Sequence, residues 1–119
     1  MSKSIVGEKS YHFAIKIVKL YKLITDEKRE YVLLKQLLRS GTAIGALLKE
    51  AEHAQSKPDF LNKTNIALKE ANETSYWLML LKDTGFISQR EFDSISTDTE
   101  ELIKMGVSIL KTTKASLKP

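Results

Sequence analysis

Cysteine is absent from this 119-residue chain, proline occurs only twice, and glycine occurs five times. Without cysteine the chain forms neither disulfides nor thiolate metal sites, so its stability depends on a packed core. Hydrophobic residues make up 42% of the sequence, and we assign residues 1–119 to a single domain. No apolar run approaches the roughly 18 residues of a membrane span, and the N-terminus lacks the apolar core of a signal peptide. We therefore expect a cytoplasmic protein that has no membrane partner.

Negative charge is scarce in the first half of the chain. Residues 1–49 contain ten Lys and Arg residues but only four Asp and Glu residues. Residues 50–119 contain nine Lys and Arg residues and eleven Asp and Glu residues. The formal net charge is +4, so the positive excess lies in the N-terminal half. Such a distribution favours an anionic partner, for example nucleic acid.

Hydrophobic residues recur at helical spacing in four segments of the chain. Short polar connections separate these segments, which favours antiparallel packing of neighbouring helices. The sequence therefore predicts an all-α, up-down-up-down antiparallel four-helix bundle. The predicted helices span roughly 8–25, 30–53, 57–84 and 89–116.

Capping residues mark two predicted helix starts and one predicted helix end. Ser56 and Asp59 resemble a capping box at the start of the third helix, and Ser88 and Glu91 form one at the start of the fourth. Gly85, followed by an apolar residue, predicts a left-handed C-terminal cap on the third helix.

Two glycines lie inside the second predicted helix, in the segment RSGTAIGALLKEA at residues 39–51. Gly41 and Gly45 are four residues apart, and each costs roughly 1 kcal/mol relative to alanine in a helix interior. A phosphate-binding glycine loop would follow a strand and precede a helix, and neither glycine does so. We therefore predict that both glycines allow a neighbouring helix to approach closely.

The segment YWLMLL, residues 76–81, is apolar around a full helical turn. A monomeric bundle covers only one side of a helix, so we interpret the second apolar face as a contact between copies of the chain. A loop or a chain terminus folded over this face is the alternative. The predicted oligomer-interface residues are Ile66, Glu70, Glu73, Trp77, Leu80 and Leu81.

Catalytic and metal-binding patterns are incomplete. Glu50 and His53 have the Glu-x-x-His spacing of di-iron bundles, but a full site needs a second such motif, and His12 is the only other histidine. No Gly-x-Ser-x-Gly nucleophile motif occurs either. We therefore predict no metal, no cofactor, no catalytic residues and no enzymatic activity.

Glu70 and Glu73 are three residues apart on the predicted third helix. Paired carboxylates support acid–base chemistry only if burial separates their pKa values. We instead predict that they pair with a Lys or Arg side chain across an interface, or that they face water. Arg39 is the expected partner because it also lies off the apolar face.

Lysine is concentrated on one face of the first predicted helix, and acidic residues are absent between positions 9 and 25. An oligomer would repeat this face and add phosphate contacts. No aromatic residues interleave with the lysines, so we expect little sequence preference. A solvated helix surface without a ligand is the alternative. The candidate nucleic-acid-binding residues are Lys9, Lys16, Lys19, Lys22, Lys28, Arg29, Lys35 and Arg39.

Two parts of the chain resemble the four-helix-bundle proteins encoded in intervening sequences of bacterial 23S rRNA genes. They are residues 39–51 and the segment SKPDFLNKTNIALKEANETSYWLMLLKDTGFIS. The resemblance covers roughly residues 10–113, and ALKEANETSYWL is its most specific part. It implies a ring of five chains without a defined activity. A related bundle is the basic accessory protein of diversity-generating retroelements, which partners a reverse transcriptase. The matching residues are Arg39, Ile44, Gly45, Glu50, Ala51, Phe60, Lys69, Glu70, Glu73, Trp77 and Leu78.

Two positions depart from the family pattern. Ala43 and Leu47 stand where many members have serine and asparagine. We predict a non-enzymatic, homo-oligomeric scaffold or accessory protein that binds RNA or DNA non-specifically. A protein–protein interaction module without a nucleic-acid role and a carboxylate metal-binding bundle are the alternatives.

Overall fold

The computed structural model describes residues 4–117, which form four helices and no strand. The predicted all-α four-helix bundle is therefore confirmed. The first helix begins and ends three residues beyond its predicted limits, and the others differ by at most two residues. The helices are α1 (Ile5–Lys28), α2 (Val32–Glu52), α3 (Lys57–Asp83) and α4 (Gln89–Leu117).

Each helix packs against its neighbours in the chain, and α4 returns to pack against α1. Lys9 Nζ lies 3.0 Å from Glu101 Oε1, whereas Lys16, later in α1, contacts Asp98, which is earlier in α4. This reversed order shows that α1 and α4 run in opposite directions. The ion pairs between α2 and α3 show the same reversal, and the bundle measures 53 × 22 × 22 Å.

The predicted caps are present. The Ser56 hydroxyl accepts a hydrogen bond from the Asp59 N–H at 3.2 Å. Ser88 and Glu91 form the reciprocal capping box. The Glu91 carboxylate accepts a hydrogen bond from the Ser88 N–H at 2.8 Å, and the Ser88 hydroxyl accepts one from the Glu91 N–H at 3.0 Å. Gly85 has a φ of 84°, which is the left-handed conformation of a helix C-terminal cap. These local signals fix where α3 begins and ends and where α4 begins.

The two glycines of α2 face a neighbouring helix, and that helix is α1. A Cβ atom on Gly41 would lie 2.9 Å from Cγ1 of Ile17, whose side chain is fully buried. A Cβ atom on Gly45 would lie 3.4 Å from the Ser10 carbonyl oxygen, which is an ordinary contact distance. The close approach of the two helices therefore requires glycine at position 41, while position 45 has room for a methyl group.

Gly41→Ala and Gly45→Ala form a matched pair, because both substitutions gain the same intrinsic helix propensity. We expect Gly41→Ala to be less stable than Gly45→Ala by about 1–3 kcal/mol, since only the first overpacks the core. Urea unfolding followed by circular dichroism measures the difference. Equal free energies of unfolding for the two variants would show that Gly41 is not at a close helix contact.

Candidate nucleic-acid interface

The lysines of α1 fall into two groups in the structure. Lys9 pairs with Glu101, and Lys16 pairs with Asp98. The four side chains are between 37% and 53% exposed, so each pair is reached by solvent. Two of the predicted nucleic-acid-binding residues are therefore already engaged by carboxylates of α4.

Five other predicted cations remain exposed and have no carboxylate within 4.0 Å among residues 4–117. Antiparallel packing, with Ile17 opposite Gly41, brings Lys22 of α1 to nearly the same level as Lys35 of α2. No acidic residue occurs in residues 9–25 or 31–49. We call these five residues, which lie on α1, α2 and their connecting turn, the basic cluster: Lys19, Lys22, Lys28, Arg29 and Lys35.

Within residues 9–49, acidic residues occur only at positions 26, 27 and 30, in or beside the turn that connects α1 and α2. The Glu30 carboxylate accepts a hydrogen bond from the Leu33 N–H and so holds its negative charge at the N-terminus of α2. This placement is favourable because the helix dipole is positive there. Asp26 and Glu27 are exposed in the last turn of α1. The helical surface around Lys22 and Lys35 is therefore more strongly basic than the turn itself.

Arg39 lies in a different environment. Its Nη1 donates to Glu70 Oε1 at 3.2 Å, and its Nη2 contacts the Glu73 carboxylate. The Trp77 indole N–H donates to the same carboxylate at 3.0 Å. We call this group the α2–α3 clamp: Arg39, Glu70, Glu73 and Trp77. Arg39 is the predicted partner of both glutamates, but the pairing lies within one chain rather than across a contact between copies, and it removes Arg39 from the basic cluster.

The assignment of one residue to the oligomer interface is wrong. Leu81 is fully buried in the core of its own chain, because it follows Leu78 by three residues on the inner side of α3. Ile66, Trp77 and Leu80 are partly buried.

Two residues that the sequence prediction omitted are more exposed. Tyr76 is 58% exposed, and Met79 is 52% exposed. Both belong to the apolar YWLMLL turn, so the signal was present but the outward direction was misassigned. We call Tyr76, Met79 and Leu80 the apolar patch. The strongly exposed Val32 of α2 lies at the same end of the bundle, because α2 begins where α3 ends.

A groove of about 770 Å³ lies between α1 and α2. Tyr11 is exposed there, and Gly45 and Ala46 add little side-chain bulk to the lining. Glu8 and Glu52 also line the groove. Against these two carboxylates stands one lysine, Lys49, so the lining has no positive excess and the groove does not extend the basic cluster.

The Glu-x-x-His motif does not assemble into a metal centre. Glu50 Oε1 lies 3.1 Å from Lys63 Nζ, and His53 is the C-terminal cap of α2. Among residues 4–117, no group of three or more His, Asp or Glu side chains is placed to hold a metal ion. The same part of the chain has no helix that is long and apolar enough to cross a membrane.

Comparison with known proteins identifies the relatives of this chain. The sequence model of the 23S rRNA-intervening sequence protein family matches residues 2–108. A crystallised protein of unknown function from the S23 ribosomal protein family of Bacteroides thetaiotaomicron VPI-5482 is 54% identical to this chain. That match has a TM-score of 0.89 and covers 90% of this chain and 99% of the other. No curated protein matches. The chain therefore belongs to the 23S rRNA-intervening sequence protein family.

Proposed function

We propose that this protein is a non-enzymatic, homo-oligomeric scaffold or accessory factor that binds RNA or DNA through the basic cluster. The observation that carries the proposal is the exposure of five cations without a carboxylate within 4.0 Å in the described residues. Phosphate groups supply the missing counter-charge, and each contact releases a condensed cation from the nucleic acid.

The chemistry of the basic cluster favours phosphate over base recognition. Four of its five members are lysines, whose ammonium groups act as point charges rather than as planar, bidentate donors. Tyr31, in the turn that carries Arg29, is 46% exposed, and stacking of a base on a tyrosine ring tolerates any sequence. Binding is therefore expected to have little sequence preference and to weaken steeply with salt.

Self-association accounts for the apolar patch and strengthens the nucleic-acid proposal. Exposed aromatic and apolar side chains grouped on one surface are typical of interaction sites. A homo-oligomer, for which the family resemblance implies a ring of five chains, would cover Tyr76 and Met79. It would also repeat the basic cluster in every chain, so that weak phosphate contacts add up along one nucleic acid.

The apolar patch also favours a second candidate function. A protein–protein interaction module would use the same surface to bind a different protein, and the basic cluster would then be a solvated surface. Nucleic-acid binding and the mass of the purified protein distinguish the two candidates.

The first prediction concerns the basic cluster. Changing Lys19, Lys22 and Lys35 together to Glu should abolish binding to single-stranded RNA at low salt, because the variant repels phosphate. Fluorescence anisotropy with a labelled mixed-sequence oligonucleotide measures the affinity. The control changes Lys104, Lys111 and Lys114 of α4 to Glu, which alters the net charge equally.

We expect the α4 control to keep most of the affinity of the native protein. The nucleic-acid proposal is wrong if the native protein does not bind even at low salt. It is also wrong for this surface if the triple variant in the basic cluster binds as well as the parent.

The second prediction concerns assembly. Static light scattering of the native protein at micromolar concentration should report several times the chain mass of 13.5 kDa. Changing Tyr76 and Met79 together to Ser should lower that mass without loss of helix content, because both side chains are more than half exposed. Leu23→Ser on α1 is the control, since Leu23 is 48% exposed but lies outside the apolar patch. A monomeric native protein would contradict the prediction.

A further inference from the structure

A small cleft separates α1 from α4 along the row of paired lysines. Its volume is about 240 Å³, and both Lys–carboxylate pairs line it. The interface between α1 and α4 is the smallest of the four interfaces between adjacent helices. The residues around the cleft are Lys9, His12, Phe13, Lys16, Asp98, Glu101 and Leu102.

The two ion pairs are exchangeable. Pairs that are this exposed typically contribute little to stability, because water competes with the partner. Apolar contacts hold the neighbouring turns together, since Phe13 and Leu102 are buried. Loss of the two carboxylate charges would therefore free both lysines without opening the bundle.

The paired lysines extend the surface on which the basic cluster lies. From Lys9 to Lys22, α1 rises by about 20 Å, so its lysines extend over a length that equals several phosphate spacings. Asp98 and Glu101 are three residues apart on α4, and both side chains reach α1. By contrast, Asp93 and Glu100 of the same helix form no ion pair among residues 4–117.

We propose that Asp98 and Glu101 form an autoinhibitory contact that competes with nucleic-acid phosphate for Lys16 and Lys9. The inference rests on the proposed function and adds a regulation to it. The two carboxylates of α4 limit nucleic-acid binding to the basic cluster. Neutralising them makes two further phosphate-binding lysines available on α1.

The test compares two double variants that change the net charge equally. Asp98→Asn with Glu101→Gln releases the paired lysines, whereas Asp93→Asn with Glu100→Gln does not. The probe is a mixed-sequence single-stranded RNA oligonucleotide, and the logarithm of its affinity is plotted against the logarithm of salt concentration. Each phosphate contact on a single strand contributes a slope of about −0.7, so the first variant should steepen the slope by about 1.4. The second variant should keep the native slope.

A further variant shows whether the gain acts through the lysines. Lys9→Gln with Lys16→Gln should leave the slope of the native protein unchanged, because these side chains are withheld from phosphate. When Lys9→Gln and Lys16→Gln are combined with Asp98→Asn and Glu101→Gln, the slope should return to that of the native protein. Circular dichroism melting checks that every variant is folded.

The outcomes separate this inference from the proposed function. If the native protein binds RNA and both double variants keep its slope, the autoinhibitory contact is wrong and the proposed function stands. If only the variant with neutral residues 98 and 101 binds, the inference is supported and the native protein alone is not a nucleic-acid-binding protein. If no variant binds, both proposals fail.

Discussion

The contact between Gly41 and Ile17 sets the spacing between α1 and α2, and the arrangement of the charged surface depends on it. Because Gly41 has no side chain, α2 packs against the fully buried Ile17 at a distance that a methyl group would prevent. This contact fixes the register of the two antiparallel helices. It therefore places Lys22 and Lys35 at nearly the same level of one hairpin, where neither has a carboxylate partner in the described residues.

The positions of the acidic side chains, more than the number of basic ones, determine which cations are available. Arg39 is held in the α2–α3 clamp. The next residue of α2, Ser40, accepts a buried hydrogen bond from Thr74 Oγ1 at 3.0 Å. Lys9 and Lys16 are held by α4. Of the eight candidate residues, the five of the basic cluster remain after these pairings. The eight candidate nucleic-acid-binding residues thus divide into one exposed basic surface and two regions in which the positive charges have carboxylate partners.

Local and periodic signals predicted most of the fold and part of the site. Helix limits, the Ser88–Glu91 capping box and the packing role of Gly41 depend on residues close in sequence or on a single apolar face. The pairing of Lys9 with Glu101 was missed because the partners are 92 residues apart, and only the antiparallel return of α4 brings them together. Leu81 was misplaced because YWLMLL contains no polar residue to mark which side of α3 faces water. Packing against α2 and α4 decides that direction.

Chemical acetylation of individual lysines, followed by mass spectrometry with and without single-stranded RNA, tests the central claim most directly. The claim is that α4 divides the lysines of α1 into a paired group and a group available to phosphate. In the free protein, Lys9 and Lys16 should react more slowly than Lys19 and Lys22, because their ammonium groups are engaged by carboxylates. RNA should then protect Lys19, Lys22 and Lys35. Equal rates for all lysines in the free protein, or equal protection of all of them by RNA, would contradict the account.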